Sequence, residues 1–389
     1  IYSSLIFYSL TIDNILNIIV LLILAGVTVA TLTGDNGILT RANEAKTETE
    51  KAKEEELRKL TQSEAATYIE EHEYEDPSGK KITIPAQCAV SQVEGENTLE
   101  DGLVIIDKNG NEWVWIEVPE SVTVDRATDD EIENALIGYV TEYRDSNYSD
   151  TWYEGCGLEK DEYYVKYSEM LQSIKANNGF FIGRYEVGAD VQVIKNDNKS
   201  RKAYIQQNKI PYNYVACSQA QELSSTLSPT NKKTSSLMFG IQWDLVLKFL
   251  KINGKWNTNN DANWYLTNYS SDWGNFLDSN FVITNTKAMF TLDPTILNSY
   301  QEITEKYEKV SSHSILLSTG ATNRNKVLNI YDLAGNLNEW TLEHSKENEQ
   351  EQPCCNRGGS YLYIGVVSAR IKYSLSGNAY NVGFRSALY

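Results

Sequence analysis

Histidine and methionine are almost missing from this 389-residue chain, with three copies of each. His72, His313 and His344 leave little room for a histidine-rich metal centre. Cysteine is sparse too. Cys88, Cys156, Cys217, Cys354 and Cys355 form an odd set without metal-type spacing, which excludes a disulfide scaffold and a zinc ribbon and leaves the redox compartment open. Positive charge is short: 35 Lys and Arg face 53 Asp and Glu, for a formal net charge of −18. A nucleic-acid binder needs a basic footprint to meet phosphates, so no nucleic-acid partner is expected. What is plentiful is hydrophobic sequence (41%) and tyrosine (25 copies), with only 23% charged residues, so the bulk of the chain is globular and not disordered.

These residues are unevenly spread. Residues 1–40 hold no Lys or Arg and only two acids, Asp13 and Asp35. From Ile15 to Leu32 the chain reads ILNIIVLLILAGVTVATL, with Asn17 its one strongly polar residue. As a helix such a run rises about 27 Å, enough to cross a bilayer core. The alternative is a buried core helix, but a segment apolar on all faces suits lipid better than one side of a core. Residues 40–75 contain no Gly or Pro and many strong helix formers, and residues 41–76 carry six bases against twelve acids. That charge run reads as a solvated helical stalk. Residues 77–101, with Pro77, Gly79, Pro85 and Gly95, read as a linker holding one short strand at Lys81–Ile84.

The globular part is expected to begin near Gly102. Leu103–Asp107 and Glu112–Val118 are strand-like and flank a Lys108-Asn109-Gly110-Asn111 turn, a hairpin pattern. The stretch from Val118 to about Lys175 reads as irregular. Gly179–Gly188 is a further strand, and helices are expected at Ser218–Leu227 and Ser236–Gly254, the second with Leu245, Val246, Phe249 and Leu250 at helical spacing. The remainder shows short strands and long Asn/Ser/Tyr-rich loops, so the class is α+β.

Two resemblances extend this reading. The segment NIIVLLILAGVTVATLTGDNGILTRANEAK resembles the N-terminal part of bacterial type IV pilin-like proteins. It implies an apolar helix anchored in a membrane or a pilus-like filament, with Asp13 in the place of the family's acidic residue. The expected location is then the cell membrane or cell surface, with an extracellular head. Further along, GFFIGRYEVG, GIQWDLVLKFL, YDLAGNLNEWT, RGGSY and VGFRSALY resemble, in order, the motifs of formylglycine-generating-enzyme-like domains. That family has a C-type-lectin-like fold. The expected division is therefore an apolar pilin-like transmembrane helix over 1–39, a charged stalk over 40–76, a linker over 77–101 and the lectin-like head over 102–389.

The resemblance also bears on chemistry. Enzymes of this family oxidise a substrate cysteine with copper held by two thiolates, which lie between the Gly-Gly-Ser and Gly-Phe-Arg motifs. Here the interval from Tyr361 to Val382 contains no Cys. Soft Cu(I) needs thiolates, and neighbours such as Cys354 and Cys355 rarely aim two thiols at one point. His313 and His344 do not make the iron site of the sulfoxide synthase relatives. The head is therefore expected to be non-catalytic and to carry no cofactor, apart from calcium, for which the resemblance suggests Asn336 and Glu339 as oxygen donors. The competing reading is that Asn336 caps a turn and Glu339 hydrogen-bonds within the loop, because two donors are too few for a calcium site. Arg357 and Arg385 are expected to pair with buried acids.

The C-terminal pattern is also similar to the variable proteins of diversity-generating retroelements, whose residues between the same motifs form a receptor surface. This implies a face for a protein or glycan ligand built from Tyr361, Tyr363, Ile364, Val366, Tyr373, Leu375, Asn378 and Tyr380. Tyrosine supplies broad contact at low entropy cost. About half of these are expected to point inward, by strand alternation. The alternatives are a formylglycine-generating-type oxidoreductase and a structural filament subunit.

Overall fold

The computed structural model describes residues 38–193, 195, 201–256 and 261–389. The chain divides into two compact units, Ile1–Leu57 and Arg58–Tyr389. Helix α1, Ile38–Ala65, is the first element described. It is polar, and exposed Lys46–Glu50 and Lys51–Glu48 pairs one turn apart decorate it, each contributing at most about 0.5 kcal/mol. Among the described residues no helix is long and apolar enough to cross a membrane. This corrects the expected location at a cell membrane or surface with an extracellular head. The apolar run 15–32, on which the anchor in a membrane or filament rested, lies outside the described residues.

The stalk and linker expectations also need correction. α1 stops at Ala65, and β1 (His72–Glu75) pairs antiparallel with β2 (Lys81–Ile84). The turn between them is closed by Asp76, whose carboxylate accepts from the Ser78 and Lys80 amides at 2.9 Å each. An Asp-Pro-Ser-Gly turn of this kind folds the chain back, so His72–Glu75, expected to end the helical stalk, is a strand. The next strand, β3 (Cys88–Val90), is already part of the main sheet. The presumed linker is therefore folded.

The expected hairpin forms as β4 (Val104–Asp107) and β5 (Glu112–Glu117), in register at Val104↔Val114. Asp107 accepts from the amides of Asn109 (2.8 Å) and Asn111 (2.9 Å), and Gly110 takes φ +80°. Residues 118–175 are more regular than the composition suggested. Helix α2, Asp129–Tyr139, starts on a capping box in which Thr128 and Glu131 each satisfy the other's backbone amide. A two-residue strand β6, Tyr148–Ser149, follows, and then α3, Lys160–Asn177. α3 buries Tyr163, Tyr167, Met170, Leu171 and Ile174, a stripe at helical spacing.

The remaining elements frame the functional region. Among them the ones used below are β7 (Gly179–Gly183), α4 (Cys217–Ser225), β8 (Ser235–Leu237), α5 (Gly240–Asn253), β9 (Asn338–Ser345), β10 (Cys354–Arg357), β11 (Arg370–Tyr373), β12 (Val382–Phe384) and β13 (Ser386–Leu388). The main sheet is antiparallel, in the order β8-β13-β7-β5-β4-β3. The second sheet runs β11-β10-β9-β12, with β6 also on β9 and β12 parallel to β9. α5 packs against both sheets, and Trp243 and Leu247 on it are fully buried with Trp113 and Trp340 in one hydrophobic core. That core fixes where the C-terminal strands, and so the loops between them, stand.

Candidate binding surface

Buried charge holds the C-terminal frame. Arg357 on β10 pairs with Asp244 of α5 at 2.9 Å and with Glu343 of β9 at 3.1 Å. Arg370 on β11 reaches the same two acids at 2.6 and 2.9 Å. Arg144 bridges Asp244 (3.0 Å) and Asp150 (3.3 Å). Burial pushes Glu343 up, but Arg357, Arg370 and Arg144 outweigh it and hold the carboxyl below its ordinary range. Asp150 is raised to about 6 by burial and accepts from the Ile241 amide at the start of α5. Arginines and acids are matched, so the cluster is a neutral bolt between helix and sheet. Sequence reasoning anticipated an acid opposite Arg357 but did not name one. Asp244, the one acid of α5 and flanked by Trp243 and Leu245, was the available signal.

A second bolt joins the last strands. Arg385 donates to both Glu339 oxygens, with Nη2 at 2.7 Å from Oε1, and to the Gly183 and Tyr331 carbonyls at 2.9 and 2.8 Å. Burial raises Glu339 to about 7 against the pull of Arg385. Asn336, in the left-handed region at φ +59°, donates to Glu186 at 2.6 Å, and its oxygen accepts from Asn275 and from the Leu317 amide. Glu339 and Asn336, suggested as calcium donors, are thus both committed to protein partners. Burial also drives the Glu186 carboxyl well above its usual range.

The glycines of the RGGSY motif sit where side chains do not fit. Gly358 has φ +85° and a Cβ there would lie 2.8 Å from the Leu333 carbonyl; at Gly359, φ +76°, it would meet the Phe276 ring at 2.7 Å.

Between these bolts the chain comes to the surface. Residues 354–361 and 382–389 are buried, and most of the interval between them is not. Tyr363 is 62% exposed and Ile364 70% exposed, and Leu375 is exposed as well. Val366, Tyr373, Asn378 and Tyr380 are half-buried, and Tyr361 is buried. Tyr361, Tyr373 and Tyr380 pack against the core clusters, but strand alternation is not what sorts the eight. Only β11 is a strand here, so alternation acts over four residues and turns present the rest. The half-buried groups have fixed seats. Tyr373 stands edge-on to Trp340 with ring centres 5.4 Å apart, and Tyr380 lies 6.3 Å from Tyr214. The Asn213 side chain donates to the Tyr380 carbonyl at 2.9 Å. Ile371 on the edge strand is also exposed, a contributor the sequence reading did not name.

The thiols do not assemble a copper site of the expected kind. Cys354 and Cys355 lie on opposite faces of β10: Cys355 donates to Glu343 at 3.3 Å, whereas Cys354 packs in the main hydrophobic core. Both are buried in the core, where a substrate thiol has no access. The donor set therefore does not fit copper chemistry at the family's position.

Residues 155–388, more than half of the chain, match the sulfatase-modifying factor enzyme 1-like domain. The chain belongs to this family. Its mixed helix and sheet head agrees with the expected formylglycine-generating-enzyme-like fold. The match begins after the N-terminal segments, so the pilin-like resemblance receives no support from it. Among solved structures, CarF is 12% identical over 54% of this chain and 86% of its own, with a TM-score of 0.30. Treponema denticola variable protein 1 is 13% identical over 82% of this chain and 98% of its own, with a TM-score of 0.21. Neither likeness is close enough to carry an argument. No curated protein matches the chain.

Proposed function

We propose that this chain is a non-catalytic, ligand-binding member of its family, which presents residues 362–381 to a protein or glycan. The observation that supports this most directly is the contrast along the C-terminal segment. Two buried, charge-neutral frames flank an interval whose exposed groups include Tyr363, Ile364, Ile371 and Leu375. Exposed apolar and aromatic clusters on a rigid frame mark binding sites, and such loops change without breaking the fold. The same interval lacks the thiolates that copper-dependent cysteine oxidation requires. On this reading the domain works in the manner of retroelement variable proteins, and binding needs no cofactor.

Screening the purified chain against a glycan array and a protein panel, in parallel with a Tyr363→Ala/Tyr380→Ala variant, tests the proposal. A hit should weaken by about 1–3 kcal/mol for each tyrosine that is a central anchor. Ligands that bind both forms equally would place the site elsewhere. Conversion of a sulfatase-type cysteine peptide to formylglycine, with Cu(I) and oxygen supplied, would overturn the non-catalytic reading.

A further inference from the structure

One edge of the second sheet lies inside the exposed interval. β11 pairs with β10 from Arg357↔Arg370 to Cys354↔Tyr373 in unbroken register. Among the described residues no strand pairs with its other side, and no group outside β10 bonds to the backbone of residues 370–373. In an antiparallel ladder each residue turns its N–H and C=O to one side, and successive residues alternate. Half of this four-residue strand therefore presents backbone donors and acceptors to solvent.

We propose that β11 is a docking edge for an extended segment of a partner protein, which adds to the sheet as a further strand. The inference rests on the reading of residues 362–381 as the binding face, and it narrows the ligand to a peptide chain in strand form.

The edge lacks the usual guards against strand addition. It holds no proline, its pairing with β10 has no bulge, and no described loop bonds across it. Its charges are already answered. Arg370 is tied to Asp244 and Glu343, and Lys372 meets Glu347 at 3.0 Å. Residues 362–381 contain no Asp or Glu, in a chain of net charge −18. An apolar guest strand can thus settle there without stranding a charge. The exposed Glu347 carboxylate beside Lys372, and the acidic chain as a whole, favour a guest with basic flanks. Ile371 is exposed on the strand and offers a cross-strand apolar neighbour, while Tyr363, Ile364 and Leu375 are exposed on the connections to either side. A sugar has no row of alternating donors and acceptors at strand spacing, so the edge fits a peptide better than a glycan.

The test selects binders for the full chain from a displayed library of random linear peptides and measures the enriched ones by fluorescence polarisation. They should be apolar with basic flanks, and should slow amide exchange within residues 370–373. Copies N-methylated at their internal amides keep the side chains but lose the donors, and should bind about tenfold more weakly or worse. Ile371→Pro and Lys372→Pro each remove one amide. The variant whose lost N–H faced solvent should melt like the parent and show the same loss of binding. If both proline variants unfold, the N-methylated copies and the exchange pattern decide. A library that yields no binder, or binders indifferent to N-methylation and to the folded proline variant, would overturn the inference. A peptide or glycan that needs Tyr363 but ignores the edge leaves the binding-face reading standing while this inference falls.

Discussion

Replacing Arg385 by Ala should destabilise the head far more than any single change on the exposed face. The guanidinium is fully buried and donates to Glu339, Gly183 and Tyr331. Its removal leaves a buried carboxylate without a counter-charge, which costs about 3–5 kcal/mol. Two carbonyls lose their donors, at roughly 1 kcal/mol each. Part of this is relieved because Glu339, already raised to about 7, can take up a proton near neutral pH. A net loss of about 4 kcal/mol remains, a large share of the 5–15 kcal/mol typical of a domain. Protonation also sets the sign of the pH dependence. A carboxyl whose folded pKa lies above its unfolded value contributes stability at low pH that is lost as pH rises through the folded pKa. The deficit of Arg385→Ala should therefore be smaller at pH 5 than at pH 8. Urea unfolding followed by tryptophan fluorescence measures it, with Tyr363→Ala as the control, expected within about 0.5 kcal/mol of the parent. An Arg385→Ala variant as stable as the parent, beside a Tyr363→Ala variant that unfolds, would reverse the assignment of frame and face.

Three other outcomes follow from the same contacts. Glu96, held at about 2 because Arg184 and Arg58 outweigh its burial, should supply about 3 kcal/mol that is present above pH 4.5 and lost towards pH 2; Glu96→Gln should remove that part of the acid slope in urea midpoints. The Tyr361 hydroxyl is buried without a protein partner, so Tyr361→Phe should be neutral or stabilise by up to about 1 kcal/mol in a thermal melt; a loss above that would reveal a bridging water. Because Asn336 and Glu339 are occupied by Glu186, Asn275 and Arg385, EDTA should leave the melting temperature unchanged, and a drop of several degrees reversed by calcium would show that these oxygens are needed for an ion.

The exposed interval is set by motif order, which is why its bounds could be read before its geometry was known. Arg357, Gly358 and Gly359 on one side and Gly383, Phe384 and Arg385 on the other are dictated locally, by positive φ, close approach and a buried charge that must be paired. Which of Tyr361, Tyr363 and Tyr373 face out was not legible. Alternation presumes a strand, and only Arg370–Tyr373 forms one. The helices α2 and α3 left readable marks, the Thr128–Glu131 box and the Tyr163–Ile174 stripe, but abundant Asp, Glu and Tyr hid them in composition.

Sequence by itself determined the elements that rest on neighbours in the chain: the Asp107–Asn111 hairpin, the apolar α5, the glycine turns and the thiol-free interval. Tertiary structure alone decided the partners. Asp244 meets Arg357 and Arg370, and Glu339 meets Arg385, only because two sheets and a helix bring remote segments together. A buried charge or thiol demands a partner by its own chemistry, but its identity is a long-range contact, and no local periodicity encodes that.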